Sequence, residues 1–273
     1  DDIKHAVEQQ GGLGNKQLIV FISDSLSKGY LYKIKYKNRK CINDTLDAYN
    51  NTLSGLRLNT TGWITSILKR VKQEAPAKHY SMIVGCQTDI STFTKGIEDS
   101  GIGKFQYILF DDCNMTGVEV AYELRDATHY IVGCPTEIMA DGMPYKLLWG
   151  ELSKVNPDYH RICNDFINFY SNYTYKGSLY PYGTISVIDC SQVEGMVNLM
   201  KEINTSSSLS PFVESNLQSM DGYNPTKFYD MGDYVRTILH NDPLLLARFN
   251  QQLNLLVPEK GKTSSYYTTF DKD

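Results

Sequence analysis

The sequence predicts an α/β protein with one mainly parallel sheet that is covered by helices on both faces. Short, continuous apolar runs recur along the chain, for example at 16–24 (KQLIVFISD) and 104–111 (KFQYILFD). Such runs are typical of strands that are buried on both sides, as strands of parallel sheets are. The runs alternate at short spacing with amphipathic stretches of helical period, which is the pattern of a sheet between helical layers.

Each element is supported by a local signal. The first helix, 1–10, is followed by Gly11 and Gly12 as a stop signal, and the second begins at Thr60, a capping residue. Alternation in 29–41 (GYLYKIKYKNRKC) indicates a half-exposed hairpin strand. Further buried strands are predicted at 79–84, 128–134 and 182–191. Further helices are predicted at 89–101, 117–126, 144–154, 158–171, 192–203, 228–239 and 242–257.

We predict a single domain over 1–273. About 1–205 form the α/β core, and about 206–273 form a helical C-terminal extension packed onto it. A chain of 273 residues, of which 41% are hydrophobic and 21% charged, is long enough to bury a full core without disulfides. The sequence contains no internal repeat and no low-complexity segment.

Charge and hydropathy argue against two classes of partner. The formal net charge of −4 provides no basic field for nucleic acid. No run of 18 apolar residues is present, so no membrane span is predicted. The six cysteines show no CxxC pair and no metal-ligand spacing, so the sequence predicts neither a metal site nor a cofactor.

Three cysteines lie at or just beyond the carboxyl ends of predicted strands: Cys86, Cys113 and Cys134. In open α/β sheets the chemistry collects beyond the carboxyl ends of the strands, so each is placed where a nucleophile could lie. A buried free cysteine, in contrast, behaves as a small hydrophobic residue. Position alone leaves both interpretations open.

The segment 110–145, FDDCNMTGVEVAYELRDATHYIVGCPTEIMADGMPY, resembles the clostripain-like cysteine peptidases, relatives of caspases, gingipains and legumain. The shared pattern is an apolar strand, Phe-Asp-x-Cys-x-Met, a Val-Glu-x-x-Tyr-Glu-Leu helix, a strand that ends in a small residue, and a Gly-x-Pro-Tyr turn. The similarity extends through 58–84 and 228–249. It implies a caspase-like α/β/α sandwich, peptide or protein substrates with a basic P1 residue, and a bacterial protein that is secreted or at the cell surface.

The resemblance assigns roles to two residues. Cys113 matches the nucleophile of a Cys/His dyad, and Asp111 matches an acidic residue in the pocket for the basic P1 side chain. A carboxylate suits that pocket because it replaces the hydration that a buried Arg or Lys loses. Glu137 and Asp141, after the next strand, could add to the negative potential. Backbone N–H groups of the Cys113 turn are the expected oxyanion donors.

The histidine of the dyad is where this chain departs from the pattern. In the family a His-Gly pair follows the strand that precedes the cysteine strand, but no His-Gly occurs in this sequence. Here only 85–87 separate that strand from the next predicted helix. We therefore predict that the native protein carries a His-Gly loop between Cys86 and Gln87, and that this loop is missing from the present sequence.

The five histidines offer no substitute. Two of them begin their strands, so the length of a strand, at about 3.3 Å per residue, separates them from the carboxyl-end site. The other three lie on predicted helices that nothing places at the site. They are, in that order, His79 and His129, then His5, His160 and His240.

Two other functions stay open from the sequence. A catalytically inactive relative could bind peptides or glycans at its surface, and a short, closed loop after Val84 would favour this alternative. A plain α/β adhesion or scaffold module is the third possibility, in which the 20 tyrosines matter and Cys113 is incidental. Replacing Cys113 by Ala distinguishes a cysteine peptidase, which should lose its activity, from an adhesion or scaffold module, whose function should not change.

Overall fold

The structure is a computed structural model, and it describes residues 1–23, 28–50, 60–85, 89–206 and 209–265. The helices in these ranges are α1 (Asp2–Gln9), α2 (Thr61–Glu74), α3 (Ile90–Ser100), α4 (Val118–Leu124), α5 (Tyr145–Leu152), α6 (Tyr159–Ser171), α7 (Val193–Asn204), α8 (Met231–Ile238) and α9 (Pro243–Leu256). The strands are β1 (Leu18–Ser23), β2 (Lys28–Lys37), β3 (Lys40–Asn50), β4 (Met82–Val84), β5 (Phe105–Phe110), β6 (Thr128–Gly133), β7 (Thr174–Tyr175), β8 (Ser178–Leu179), β9 (Thr184–Asp189) and β10 (Glu259–Lys262).

The chain divides into two compact units, each made of several segments. The first unit comprises 1–80, 87–106 and 144–157, and the second comprises 81–86, 107–143 and 158–273. The single domain with a helical C-terminal extension stays a prediction. Residues 206–273 do contain the two predicted helices, α8 and α9, and they also contain β10.

The first unit holds an antiparallel sheet of three strands in the order β1-β2-β3. β2 and β3 form a hairpin in which Asn38 and Arg39 have φ angles of 52° and 63°, the left-handed conformation that two-residue hairpin turns require. The carboxylate of Glu8 in α1 accepts a hydrogen bond of 2.7 Å from the N–H of Cys41 and so ties α1 to β3. In the same unit α2 packs on α3, and α1 packs on α5.

The prediction of β1 as a buried strand is wrong. Its side chains are half-buried from Leu18 to Phe21 and exposed at Ile22 and Ser23. β1 is an edge strand of an antiparallel sheet, and such a strand is covered less completely than a central strand of a parallel sheet. The continuous apolar run therefore overstated its burial.

The second unit holds the central sheet, in the strand order β10-β9-β6-β5-β4. β4 and β5 are parallel, with Met82 opposite Ile108. β6 runs in the same direction as β5, because Gly133 at the end of β6 lies against Phe110 at the end of β5. β9 is antiparallel to both β6 and β10, so four of these five strands point in one direction.

Helices flank this sheet. α6 packs on β9 and β10, where a Cβ on Gly261 would lie 2.8 Å from Cγ1 of Ile167 and 4.0 Å from Cγ2 of Ile185. Ser186 points to the opposite face, since neighbouring residues of a strand alternate. Its hydroxyl lies 2.9 Å from that of Thr116, just before α4. The predicted α/β fold, with a mainly parallel sheet between helices, is confirmed.

Most predicted helices and strands are present, with ends that differ by a few residues. Four strands were not predicted: the partner strand β3, the β7 and β8 strands of a short hairpin, and β10. The predicted strand at 29–41 is β2 together with the turn into β3. No helix in the described ranges combines the length and the apolar character that crossing a membrane requires.

Candidate active site

Cys113 lies in the turn between β5 and α4, three residues beyond the last residue of β5. Its side chain is half-buried. The sulfur contacts the backbone of Ile138 in the loop after β6: the N–H of Ile138 donates to Sγ at 3.4 Å, and the thiol reaches the carbonyl of Ile138 at 3.8 Å. Two strand-end loops therefore meet at this thiol.

The backbone of the Cys113 turn is already bonded. The N–H of Cys113 donates to the side chain of Asp112 at 2.8 Å. The N–H groups of Asn114 and Met115 donate to backbone carbonyls of the chain after β6 at 3.1 and 3.0 Å. The expectation that these groups are available as oxyanion donors is therefore wrong for this conformation. Of the three, only the N–H of Cys113 is bonded to a side chain.

Asn114 combines two features that cost stability. Its φ of 57° is unusual for a residue with a side chain. Its Oδ1 is buried and finds no hydrogen-bond partner among the described residues, which costs about 1–3 kcal/mol. Strained and unpaired groups of this kind cluster at functional sites.

Asp111 faces the same loop after β6. Its N–H donates to the carbonyl of Val84 at 2.8 Å, which continues the pairing of β4 with β5. Its Oδ1 accepts a hydrogen bond of 2.8 Å from the N–H of Met143. The close approach depends on Gly142, which has a φ of 65° and whose Cβ, if present, would lie 2.5 Å from that oxygen. Only a glycine fits there without strain.

The surroundings of Cys113 raise the pKa of its thiol overall. Burial is the largest cause that raises the pKa of this thiol; the charges of Glu137 and Asp112 raise it further, and the N–H of Ile138 lowers it. A raised pKa keeps the group protonated near neutral pH, and the thiol is a much weaker nucleophile than the thiolate. Reaction at neutral pH therefore requires a base.

The two additional acids from the sequence also lie in the loop after β6. Glu137 is close enough to influence the pKa of the Cys113 thiol, behind the larger effect of burial. Asp141 directly precedes Gly142, and the hydroxyl of Tyr173 is hydrogen-bonded to its carboxylate. No three His, Cys, Asp or Glu side chains of the described residues come together as metal ligands.

Two tyrosines near the end of α6 reach this loop, and the sequence did not single them out. Tyr170 is fully buried, and its hydroxyl donates to the carbonyl of Gly142 at 2.6 Å. Tyr173 bonds Asp141. The Asp-Gly pair at 141–142 is a recognisable turn signal, but no local pattern connects it with residues on a later helix.

The model of the clostripain family, Peptidase_C11, matches residues 88–250, which is more than half of the chain. The chain belongs to the clostripain family. Members of this family are cysteine proteases, which are hydrolases that act on peptides. The family that the sequence resembles is therefore confirmed.

Solved structures of clostripain-family proteins are similar to this chain. A secreted C11 cysteine protease from Bacteroides thetaiotaomicron, "iotapain", is 37% identical over 98% of this chain and 82% of that chain, with a TM-score of 0.88. A clostripain from Bacteroides thetaiotaomicron ATCC 29148, in complex with the peptide inhibitor BTN-VLTK-AOMK, is 46% identical over 67% of this chain and 78% of that chain, with a TM-score of 0.61. An inactive zymogen C11 protease from Parabacteroides distasonis shares the fold at 23% identity, over 99% of this chain and 80% of that chain, with a TM-score of 0.83. No curated protein matches the chain.

The thiol of Cys113 is hydrogen-bonded to Ile138 and, among the described residues, to no histidine. His79 bonds Gln106 at the amino end of β5, with 3.0 Å between the nitrogens. His160 bonds Glu259, the first residue of β10, at 2.9 Å. The remaining three lie on α1, at the amino end of β6 and after α8: His5, His129 and His240. The predicted His-Gly loop after β4 lies outside the described residues.

Proposed function

We propose that the protein is a cysteine endopeptidase that hydrolyses peptide bonds after Arg or Lys. Cys113 is the nucleophile, and Asp111 receives the basic side chain of the substrate. One observation carries the proposal: the loops beyond β5 and β6 meet at a half-buried thiol, and both loops carry acidic side chains. Glu137 raises the pKa of that thiol, whereas Asp111 accepts the N–H of Met143 and Asp141 is bonded to the hydroxyl of Tyr173.

A basic side chain fits this arrangement electrostatically. Carboxylates attract Arg or Lys, and Arg can be bound by two parallel hydrogen bonds. The N–H of Met143 fixes the orientation of the Asp111 carboxylate before substrate arrives, and groups that are already ordered cost less to bind. The inhibitor of the clostripain relative is named VLTK, a peptide ending in Lys, which supports a basic P1 residue here.

In the proposed reaction the thiolate of Cys113 attacks the carbon of the scissile carbonyl. The peptide C–N bond breaks, which leaves a thioester on the enzyme and a free amine. The base first removes the proton of the thiol and then gives it to the departing amine; water next hydrolyses the thioester and restores the thiol. The base is essential because burial, and after it Glu137, raise the pKa of this thiol.

We propose that the base is a histidine in a His-Gly loop between Cys86 and Gln87 of the native protein. Both residues lie outside the described ranges. β4 ends at Val84, whose carbonyl accepts a hydrogen bond from the N–H of Asp111. Asp111 precedes Cys113 by two residues. A loop that follows β4 therefore begins beside the strand end that leads to Cys113. The match covers 82% of the secreted protease from Bacteroides thetaiotaomicron and 80% of the zymogen from Parabacteroides distasonis. The remaining part of each of those chains, about a fifth, leaves room for such a loop.

Peptides or proteins with a basic P1 residue are the proposed substrates. We also propose that the protein is secreted or displayed at the cell surface, which is supported by the similar protease from Bacteroides thetaiotaomicron that is described as secreted.

Hydrolysis of matched reporter peptides tests this function. Three peptides differ only at P1, with Arg, Lys or the neutral Arg analogue citrulline. The Arg and Lys peptides should be cleaved at least about 100-fold faster than the citrulline peptide, because only they carry the charge that Asp111 recognises.

Cys113→Ala should reduce the rate of cleavage by more than about 1,000-fold. Cys190→Ala is the matched control, since Cys190 is a buried cysteine at the opposite end of the sheet, next to the end of β9. Equal cleavage of the citrulline peptide, or full activity of Cys113→Ala, would contradict the proposal.

An inactive peptide-binding homologue is the second candidate, and two observations favour it. Burial and nearby carboxylates raise the pKa of the Cys113 thiol. The thiol is hydrogen-bonded to the backbone of Ile138, and the N–H of Cys113 donates to the side chain of Asp112. An intact mass well above 31.0 kDa, the mass of this sequence, supports the loop and the active enzyme. A mass of 31.0 kDa, together with binding but no cleavage of the Arg peptide, supports the inactive homologue.

A further inference from the structure

We propose that Tyr170 is a positioning residue for recognition of the basic side chain, because it holds the peptide group that orients Asp111. The inference rests on the proposed function and deepens it. Tyr170 touches neither the thiol nor, in the proposed reaction, the scissile bond. It acts through the Gly142–Met143 peptide group.

A single peptide group is bonded on both of its polar sides. Its carbonyl, from Gly142, accepts the hydroxyl of Tyr170 at 2.6 Å. Its N–H, from Met143, donates to Oδ1 of Asp111 at 2.8 Å. Hydrogen bonds at the two ends of one amide polarise each other in the same sense. The hydroxyl of Tyr170 therefore strengthens as well as places the donor that orients the carboxylate.

The ring of Tyr170 has no room to move, so its hydroxyl is fixed in place. It is surrounded by the rings of Phe166, Phe169 and Tyr173, with centroids 4.7, 5.0 and 5.4 Å away. Gly183 of the chain before β9 lies so close that a Cβ there would be 2.9 Å from Cβ of Tyr170. Close packing of this kind holds a side chain in one orientation, so the hydroxyl of Tyr170 stays at a fixed place beside Gly142.

The second acid is held from the same end of α6. The hydroxyl of Tyr173 bonds the carboxylate of Asp141, the residue just before Gly142. Burial raises the pKa of Tyr170, and the charges of Asp111 and Asp141 add to that rise, as do its other neighbours. The hydroxyl therefore stays protonated and remains a donor at every pH at which the enzyme would work. Both acids are electrostatic neighbours of one buried phenol.

Binding of short peptides to the Cys113→Ala protein tests the role of Tyr170 without requiring turnover. The probe is an acetylated peptide that ends in Arg amide, and the reference is the same peptide with citrulline; both dissociation constants are measured by calorimetry. Tyr170→Phe should weaken binding of the Arg peptide about tenfold, the effect of one lost hydrogen bond. It should leave the weak binding of the citrulline peptide unchanged.

Tyr107→Phe is the matched control. Tyr107 is also buried, and its hydroxyl bonds Ser81, so the same substitution removes one buried hydrogen bond near the amino end of the sheet. It should change the affinity for the Arg peptide by less than about twofold. Urea unfolding of both variants compares their stabilities, so that a general loosening of the fold is recognised.

The outcomes separate the two proposals. If Tyr170→Phe and Tyr107→Phe bind the Arg peptide equally well, the role of Tyr170 is wrong while the proposed specificity stands. If the Cys113→Ala protein does not prefer Arg over citrulline, the proposed specificity is wrong, and the role of Tyr170 is wrong with it. In the Cys113-containing protein, an unchanged rate of alkylation of Cys113 in Tyr170→Phe would confirm that the effect is on the pocket and not on the thiol.

Discussion

The two ends of α6 are built from the same residue type and serve different parts of the molecule. At the amino end, Tyr159 packs against other tyrosine rings, those of Tyr107 at 6.5 Å and Tyr130 at 4.7 Å. At the carboxyl end, Tyr170 and Tyr173 reach past the helix with their hydroxyls and bond the loop that carries the candidate pocket.

The pKa values of Tyr159 and Tyr170 are raised by the same first cause and by different neighbours after it. Burial is the first cause that raises the pKa of Tyr159, followed by Tyr107 and Tyr130. Burial also comes first for Tyr170, but Cys134 and Asp111 follow. Asp189 and Cys190 also raise the pKa of Tyr159, and Tyr173 also raises that of Tyr170. The two ends therefore differ in what the hydroxyls hold, because Tyr170 and Tyr173 bond the loop after β6. We therefore expect substitutions at the amino end to change stability, and substitutions at the carboxyl end to change recognition as well.

The largest expected effect is a loss of kcat/KM when the carboxylate of Asp111, just beyond β5, loses its charge. Asp111→Asn keeps the shape and an acceptor for the N–H of Met143 but removes the charge. It should lower kcat/KM for Arg and Lys peptides by at least about 100-fold, because a buried cation would lose its charged partner. Steady-state kinetics on the reporter peptides measure this effect.

Asp189→Asn is the control for that comparison. Asp189 also ends a strand and accepts the N–H of a following residue, Ser191, at 2.9 Å, but it pairs with Tyr130 at the amino end of β6. Its kinetics should stay within about twofold of the wild type. A similar loss in both variants would show that strand-end charge acts on stability and not on recognition.

A glycine exchange gives the next largest effect. Gly142→Ala places a side chain at positive φ and 2.5 Å from Oδ1 of Asp111, which should lower the free energy of unfolding by about 2–3 kcal/mol. Gly177→Ala shares the positive φ of 81° but meets nothing within 4 Å, and it should cost only about 1 kcal/mol. Urea denaturation measures the free energy of unfolding of both variants. Equal decreases would mean that the Asp111 side chain moves away from the new methyl group at no cost in stability.

At the amino end, Tyr159→Ala should reduce stability and leave recognition intact. Loss of a half-buried aromatic ring should lower the free energy of unfolding by about 1–2 kcal/mol. The preference for Arg over citrulline should be unchanged in kinetic assays, and Tyr159→Phe should restore stability because it keeps the ring. A changed P1 preference in Tyr159→Ala would remove the distinction between the two ends.

The smallest effect is on the reactivity of the thiol. Burial, then Glu137 and Asp112, raise the pKa of Cys113 above the ordinary thiol value of 9.0, so its alkylation by iodoacetamide should be slow at pH 7 and accelerate as the pH rises. Glu137→Gln removes a negative charge, so it should lower that pKa and speed alkylation at pH 8 about twofold. Peptide mapping by mass spectrometry follows Cys113 alone.

Glu98→Gln, an exposed exchange on α3, controls for the change in net charge. Its pH profile of alkylation should overlay that of the wild type. A shift of the same size in both variants would show that overall charge, and not the neighbour of the thiol, sets the reactivity.

The sequence predicted the elements whose apolar period is strong, and it missed those held by distant partners. β10 reads EKGK, with no apolar alternation, and becomes a strand only because β9 lies beside it. The β7–β8 hairpin has two residues in each strand, all of them exposed. The reversed direction of β9 also has no local signal, since a buried strand looks the same in either orientation.

The residues of the candidate site also fall into those that the sequence could place together and those that meet only in the fold. Cys113 and Asp111 stand in one short motif after one strand, so the sequence could place them together. Gly142 and Tyr170 enter the site through contacts across the fold, between a loop and a later helix.

β10 also decides when the central sheet can be finished during synthesis. It is the last strand of the described chain, and it pairs with β9 only after the three intervening helices have been made. Until then one edge of β9 presents unpaired backbone groups, and such edges invite pairing with other chains. Once β10 is in place, its exposed residues Lys260 and Lys262 put positive charge along the new edge. The newly made chain is therefore most open to misassembly just before β10 emerges.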